Sequence, residues 1–559
     1  MSRNRGLPWH QYVETLKPHE RPMLPGSPAT PEHSARLRAA YAGTGVLVTL
    51  TGGLGNAMVL ANVQNLAGEL GITATDAAWL PVIFVMTNAC MNLLLIKFRM
   101  QYGLRLFTEI ILTVFVATAT AHLLVDDFGS ALWVRAAAGI CSAGLSTLGI
   151  LYLIQAFPAA HRLKGLVVGI GLASFAPPIA RIIGTSLFDI DGWRGYHLME
   201  LGLALASLAA VFSLKLPPSQ RIKVFEKLDF VTFALFAPGI ALLCAVLGLG
   251  RLVWWTDAPW IGWALAGSIV LLAAALMIEH GRETPLINLR WMANGDIVRL
   301  ALSILLVRIV LSEQTSGAVG FLQQLGLGPD QLHGLFLIIL LGTIAGTLTS
   351  AFTLNVQRLY LPIAIALALI AVGAFIDSHA TALTGPGNLF FSQSLLAFAS
   401  ALFIGPALMI GVVQVLQKGA QNLVSFIVVF SVGQNLGGLA GSAIVGTAEM
   451  LRFREHFANL AQSINPGDPN VVLRLQQLGG AYARTLGDPQ LREVEALRLL
   501  QQQLARQAHV LAYNDIFQWI ALAAAVGALW VAATHAQDLF RQRKAAATAT
   551  AEAAAQSID

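Results

Sequence analysis

Apolar runs of about 20 residues recur from near residue 40 to near residue 534, and no other feature restricts the fold of this chain so tightly. That is the length an α-helix needs to cross the hydrocarbon core of a bilayer, at 1.5 Å per residue. Composition agrees: 12% of the 559 residues are charged, where a soluble domain carries roughly 25%. The chain is therefore read as an all-α polytopic membrane protein. A sliding window places about fourteen transmembrane helices, the first at 40–63, the ninth at 297–321 and the last at 512–534.

An even number of spans puts both termini on one side, and basic residues say which. Lys97, Arg99, Arg162, Lys164, Lys215, Arg221, Lys223, Arg282, Arg290, Arg358 and Lys418 fall in the N-tail side connections. The opposite short connections offer Arg194 and Arg251. By the positive-inside rule both termini are cytoplasmic. Residues 1–37, polar and rich in Pro, His and Arg, read as a disordered cytoplasmic tail without a signal peptide, and 536–559 as a second tail. Cys90, Cys141 and Cys244 all lie inside spans, with neither metal nor pairing spacing, and read as packing residues.

The spans group as 6+2+6: 38–214 forms one six-helix bundle, 228–279 two inserted helices, and 296–535 a second bundle. Within the last, 449–511 is polar with apolar residues at helical spacing on both sides of SINPGDPN. It reads as a periplasmic helical hairpin, either lying on lipid or docking a partner.

Several stretches resemble the fourteen-helix drug/proton antiporters of the major facilitator superfamily, the EmrB/QacA type. LAGELGITATDAAWLPVIF is similar to the acidic-Leu-Gly loop that leads into a Trp-bearing second span. RAAAGICSAG resembles the Arg-x-x-x-Gly element, with Arg135 and Gly139 in its places. GWRGYH resembles the Trp-Arg pair that opens the sixth span. SFAPPIARIIGTS keeps Pro177, Pro178 and Gly184 of the Gly-Pro antiporter element, with Arg181 where a second Gly-Pro would lie. QNLGGLAGSA matches the Leu-Gly-Gly run at Gly437 and Gly438. The resemblance implies a major facilitator fold and proton-coupled export of small molecules, with protons as the coupling ion and no other cofactor. The long outer loop favours the EmrB branch, which works with a periplasmic membrane-fusion adaptor and an outer-membrane channel. One departure matters: the family's first-span aspartate falls at Gly55, followed by Asn56.

The ionisable residues deep within spans are Arg135, Arg181, Glu200, Arg308 and Glu313, and such groups face cavities or one another. Arg181 and Glu200 lie at similar depth on consecutive helices and are expected to pair. Arg308 and Glu313 are about 7.5 Å apart along the helix and roughly 140° around it, so neither serves the other. A carboxyl in a partly dry cavity takes up protons near neutral pH, which makes Glu313 the first proton-coupling candidate and Glu200 the second. Glu313 could instead merely cap a helix break at SEQTSG. Phe84, Asn88 and Asn92 share one helical stripe. Together with Arg135, Arg308, Gln155, Gln414 and Gln434 they are the expected lining of a substrate cavity. An excess of arginine favours amphipathic weak acids or lipophilic anions.

No HExxH, Walker loop or paired histidines at metal spacing occurs, which argues against an embedded enzyme or metal site, and nothing suggests nucleic-acid binding. Dedicated export of one metabolite, such as a siderophore or aromatic acid, and a non-transporting receptor or scaffold stay open.

Overall fold

The computed structural model describes residues 9–22, 26–125, 127–465 and 467–556. Thirteen of its helices are long and apolar enough to cross a membrane. In the first half these are α1 (Ala35–Ala61), α2 (Ala74–Tyr102), α3 (Leu104–His122), α4 (Phe128–Ala156), α5 (Ala159–Gly184) and α6 (Gly192–Ser213), followed by the inserted α7 (Lys227–Val253) and α8 (Pro259–His280). In the second half they are α10 (Pro329–Phe352), α11 (Tyr360–Asp377), α12 (Pro386–Lys418), α13 (Leu423–Ser463) and α14 (Pro489–Gln537).

The remaining span, α9, is interrupted. An α-helical part, Gly295–Val310, leads into a π-helical segment, Glu313–Ala318, and a short helix, Val319–Gln324. A π-turn adds one residue per turn and is found mostly as a single-turn insertion, often at functional sites. Here it begins on Glu313, the acidic residue in the middle of the span.

Two six-helix bundles result. In the first, α4 packs on α1, α2 and α3, and α6 on α1 and α3. In the second, α12 packs on α10 and α11, and α14 on α11 and α13. The bundles meet where α5 lies against α10 and α12, and α2 against α13. The inserted α7 packs on α8, α2 and α13, so the pair sits outside this seam. Its anchor is ionic: buried Asp229 accepts from Lys97 Nζ at 2.7 Å and from Arg282 at 2.8 Å, while Arg282 also holds Glu279 and Glu226.

The N-terminal segment corrects the expectation of a disordered tail. Trp9–Glu14 is helical, and Glu20, Ala29 and Thr30 are buried. Gln155 Nε2 donates to the Ala29 carbonyl at 2.8 Å, His33 Nε2 meets Gln155 Oε1 at 2.9 Å, and Pro28 bridges to Ser219. Burial works against the charge on Glu20, but the Lys17 and Glu32 backbone N–H groups hold its carboxyl below the usual range. Burial holds the His33 imidazole below its ordinary value. The helix that begins as α14 continues to Gln556, through much of the expected second tail. Residues 1–8, 23–25 and 557–559 of the two tails lie outside the described residues.

On the side opposite the termini, α13 and α14 project as an antiparallel pair. Arg452 and His456 share Asp515, at 2.5 and 2.7 Å, and His509 pairs with Glu449 at 2.7 Å. The sequence reading placed only a linker between the two arms, but a third helix, Pro469–Gly480, lies there, amphipathic and packed on α14.

Candidate functional site: a central cavity with two buried carboxyl clusters

A cavity of about 680 Å³ runs between the two bundles. Its wall is mainly apolar, with Phe336, Phe426 and Phe430 among its aromatic residues. Four arginines line it, Arg99, Arg162, Arg181 and Arg308, and no Asp, Glu or Lys among the described residues does. Arg99 and Arg162 lie near the end of the bundles that carries the termini. Arg181 is 19 residues beyond Arg162 on α5, about 28 Å further across, and Arg308 lies at intermediate depth on α9. The positive charge therefore extends through most of the membrane thickness.

Of the residues expected to line a cavity, Arg308, Asn88, Asn92 and Gln434 do so, as do Arg181, Pro177 and Pro178. Arg308 is held against α13, its Nε donating to the Gln434 carbonyl at 3.2 Å. That approach requires glycine: a β-carbon on Gly437 would lie 2.7 Å from Arg308 Cβ, and one on Gly438 2.9 Å from its guanidinium. Asn92 Nδ2 donates to Ser431 Oγ at 2.9 Å across the bundle interface.

Four expected lining residues lie elsewhere. Arg135 is fully buried, its guanidinium over the Phe84 ring at 4.8 Å and bonded to Asn56 Oδ1 at 2.6 Å and the Gly55 carbonyl at 3.3 Å. These partners within the first bundle satisfy it, and they bury Phe84 beneath it. Gly139 lets α4 pass the Phe84 carbonyl closely. Gln414 donates to Asp296 at 3.1 Å. Gln155 clamps the N-terminal segment, and through that clamp Ser27, Pro28 and Thr30 form part of the cavity wall.

The expected Arg181–Glu200 pair does not form. Arg181 instead lies over the Phe336 ring at 5.3 Å, on the opposing bundle. Glu200 Oε2 takes two histidines, His122 Nδ1 at 2.9 Å and His197 Nδ1 at 3.0 Å, all three residues being buried. The two imidazoles stack at 4.2 Å, and Trp193 closes on His197 edge-on. Similar depth on adjacent helices was a necessary condition for the Arg181 pair but not a sufficient one, because the two side chains leave their helices toward different neighbours. His122 closes the third apolar run and His197 stands three residues before Glu200, and that i,i+3 spacing was the available signal. His122, His197 and Glu200 present ligand atoms within 4.8 Å of one another.

The second cluster surrounds Glu313, which is fully buried. Gln393 Nε2 on α12 donates to Glu313 Oε1 at 3.0 Å and Oε2 at 3.2 Å, and to Asp377 Oδ2 on α11 at 2.8 Å. Sequence reasoning missed Asp377 because it stands at the boundary of its apolar run. An acid ending the otherwise apolar YLPIAIALALIAVGAFID was the sign. The neighbours of Glu313 in the π-helical segment, Gln314 and Thr315, line the cavity.

Two sequence elements that lie far apart meet outside the cavity. Glu69, from LAGELG, accepts the Trp193 backbone N–H at 2.7 Å beside Gly192, and Tyr196 Oη donates to the Gly184 carbonyl at 2.9 Å. Gly192 has φ +52°, a conformation that favours glycine.

No family model matches the chain. Among curated proteins it is 22% identical over 506 residues to the uncharacterized MFS-type transporter YhcA of Bacillus subtilis, covering 86% of this chain and 91% of that one. It is 23% identical over 476 residues to the multidrug export protein EmrB of Escherichia coli, covering 82% and 88%, and 24% identical over 519 residues to a triacylglyceride transporter of Mycolicibacterium smegmatis, covering 87% and 85%. Among solved structures, a bacterial homologue of the human drug peptide transporters PepT1 and PepT2 superposes with a TM-score of 0.52 at 13% identity, covering 90% of this chain and 99% of that one. In fold, and in sequence over most of its length, this chain is thus similar to transporters of the major facilitator superfamily, the EmrB-type exporter among them.

Proposed function

We propose that this transporter is a proton-coupled exporter of amphipathic anions, lipophilic weak acids above all, working by alternating access across a bacterial inner membrane with both termini in the cytoplasm. The observation that carries the reading is the cavity wall, with four arginines, apolar and aromatic surface, and no acidic residue among those described. Such a site favours a carboxylate or sulfonate by charge-assisted hydrogen bonds and holds its apolar body by burial. Asn88, Asn92 and Gln434 fix orientation as neutral donors and acceptors. Arg308 sits where cargo from either side would pass, and Arg181 and Phe336 close the end nearer the hairpin.

Coupling is assigned to Glu313, with Glu200 as the second site. Glu313 is buried beside the cavity wall and belongs to the segment that contributes Gln314 and Thr315 to it, so a change in its charge is felt where cargo binds. The projecting α13–α14 hairpin is the surface on which a periplasmic adaptor, and through it an outer-membrane channel, would dock.

The test is reconstitution in proteoliposomes with an imposed pH gradient, following the anion 1-anilinonaphthalene-8-sulfonate and, in parallel, the cation tetraphenylphosphonium. Gradient-driven movement of the anion, lost in Glu313→Gln while downhill exchange continues, supports the reading. Transport of the cation alone, or of neither probe, overturns it.

A further inference from the structure

We infer that Glu313 does not carry its proton alone: Glu313 and Asp377 form one proton-holding pair, bridged by Gln393, with Asp377 as the entry residue on the hairpin side. This rests on the reading of the chain as a proton-coupled transporter and adds a site residue to it.

Three observations place the pair. First, one amide nitrogen, Gln393 Nε2, reaches oxygens of both carboxyls, so the two groups converge on a single point. An ionised carboxylate only accepts, so two of them gathered on one donor repel each other unless a proton is held between them. Second, both acids are at least 99% buried and no cation among the described residues pairs with either. The side chain that bonds both is the neutral amide of Gln393 on α12, with neutral Ser392 beside it in sequence. Arg308 of the same span turns to Gln434 instead. Two adjacent negative charges without a counter-ion are far costlier here than one charge and one shared proton.

Third, the two acids stand on opposite sides of a short path. Asp377 ends α11 on the hairpin side, followed by exposed His379, while Glu313 opens the π-helical segment whose next residues line the cavity. A proton entering from the hairpin side meets Asp377 first and passes to Glu313, which shares the Gln393 amide with it. When the second proton arrives, both carboxyls are neutral and the direct attraction is weaker. That loosens the tie between α9 and α11 at the point where α9 is already broken.

Infrared difference spectroscopy of the purified full-length protein tests the pair without any cargo, through the C=O stretch of a protonated carboxyl at neutral pH. Wild type should show the band, and Glu313→Gln or Asp377→Asn should each remove it. Glu200→Gln should leave it. Persistence of the band in either dyad variant, or its absence from wild type, overturns the pair. Size-exclusion profiles establish that each variant is folded, and Asp377→Glu, which keeps the carboxyl, should retain the band where Asp377→Asn loses it. In proteoliposomes, either single substitution should reduce gradient-driven transport of 1-anilinonaphthalene-8-sulfonate at least tenfold, and the double variant should lose no more than either single. Additive losses overturn the pair. A band that behaves as expected in a protein that moves no probe under any gradient upholds the pair and refutes the transport reading.

Discussion

The carboxylate of Glu200 occupies the space that a side chain on Gly55 would need: a β-carbon there would lie 2.5 Å from Glu200 Oε1. An acid is therefore present beside Arg135 and Asn56, but it is supplied by α6. Gly55→Ala should displace it and lower stability by about 1–3 kcal/mol, the range for overpacking a filled site. Thermal melting in detergent reads the loss. Glu200→Ala empties the same space, so the double variant should be no less stable than Glu200→Ala alone, a coupling that distant sites would not show.

Arg308 is the cavity arginine most tightly defined by its surroundings, pressed against Gly437 and Gly438. Its replacement by Gln should weaken binding of 1-anilinonaphthalene-8-sulfonate by about ten- to hundredfold, the equivalent of one hydrogen bond to a charged group. Arg308→Lys should restore only part of it, because an ammonium lacks the planar fork of the guanidinium. Fluorescence titration checks both, and tetraphenylphosphonium binding should not fall with either.

Asp229 joins α7 to the first bundle through Lys97 and to the segment just after α8 through Arg282. Asp229→Asn leaves two cations facing a buried neutral group and should cost about 3–5 kcal/mol. The pair Lys97→Met with Asp229→Leu should recover part of that stability, since no unpaired charge is left at that contact. Chemical denaturation of the three proteins distinguishes the outcomes.

Acid should release the N-terminal segment. The imidazole of His33 and the carboxyl of Glu20 are both held below their ordinary values. A group with a depressed value in the docked state contributes its full stabilisation above its ordinary value and loses it as pH falls. Docking should therefore weaken first as pH drops below about 6.5 and again below about 4.3. Hydrogen exchange of residues 26–34 at pH 7.5 and 5.5, each compared with the intrinsic rate at that pH, should show lower protection at the lower pH, and His33→Gln should remove the first step.

Apolar length and basic asymmetry made the spans legible in the sequence, since both follow from the solvent each segment meets. The same reasoning isolated Glu313 and Arg308 as members of one helix with separate partners. It fell short where a side chain's direction decides the outcome: Arg181 and Glu200 share a depth but not a neighbour, and Arg135 is used up by Asn56 and the Gly55 carbonyl. Asp377 was lost to a one-residue boundary, the least certain quantity in any reading of hydrophobic periodicity. The order in residues 26–33 had no local signal at all, because the partners that hold them, Gln155 and Ser219, lie more than a hundred residues away.

The continuity of α13 has a mechanical consequence. From Gln434, beside Arg308, to Ser463 the helix runs unbroken, a distance of about 43 Å at 1.5 Å per residue. A rigid-body rotation of about 15° at the bundle, of the size known for subunit rearrangements, would sweep its far end through about 11 Å. With α14 braced against it by the Asp515 and Glu449 ion pairs, the hairpin is a lever arm whose tip reports, outside the membrane, which way the cavity is open.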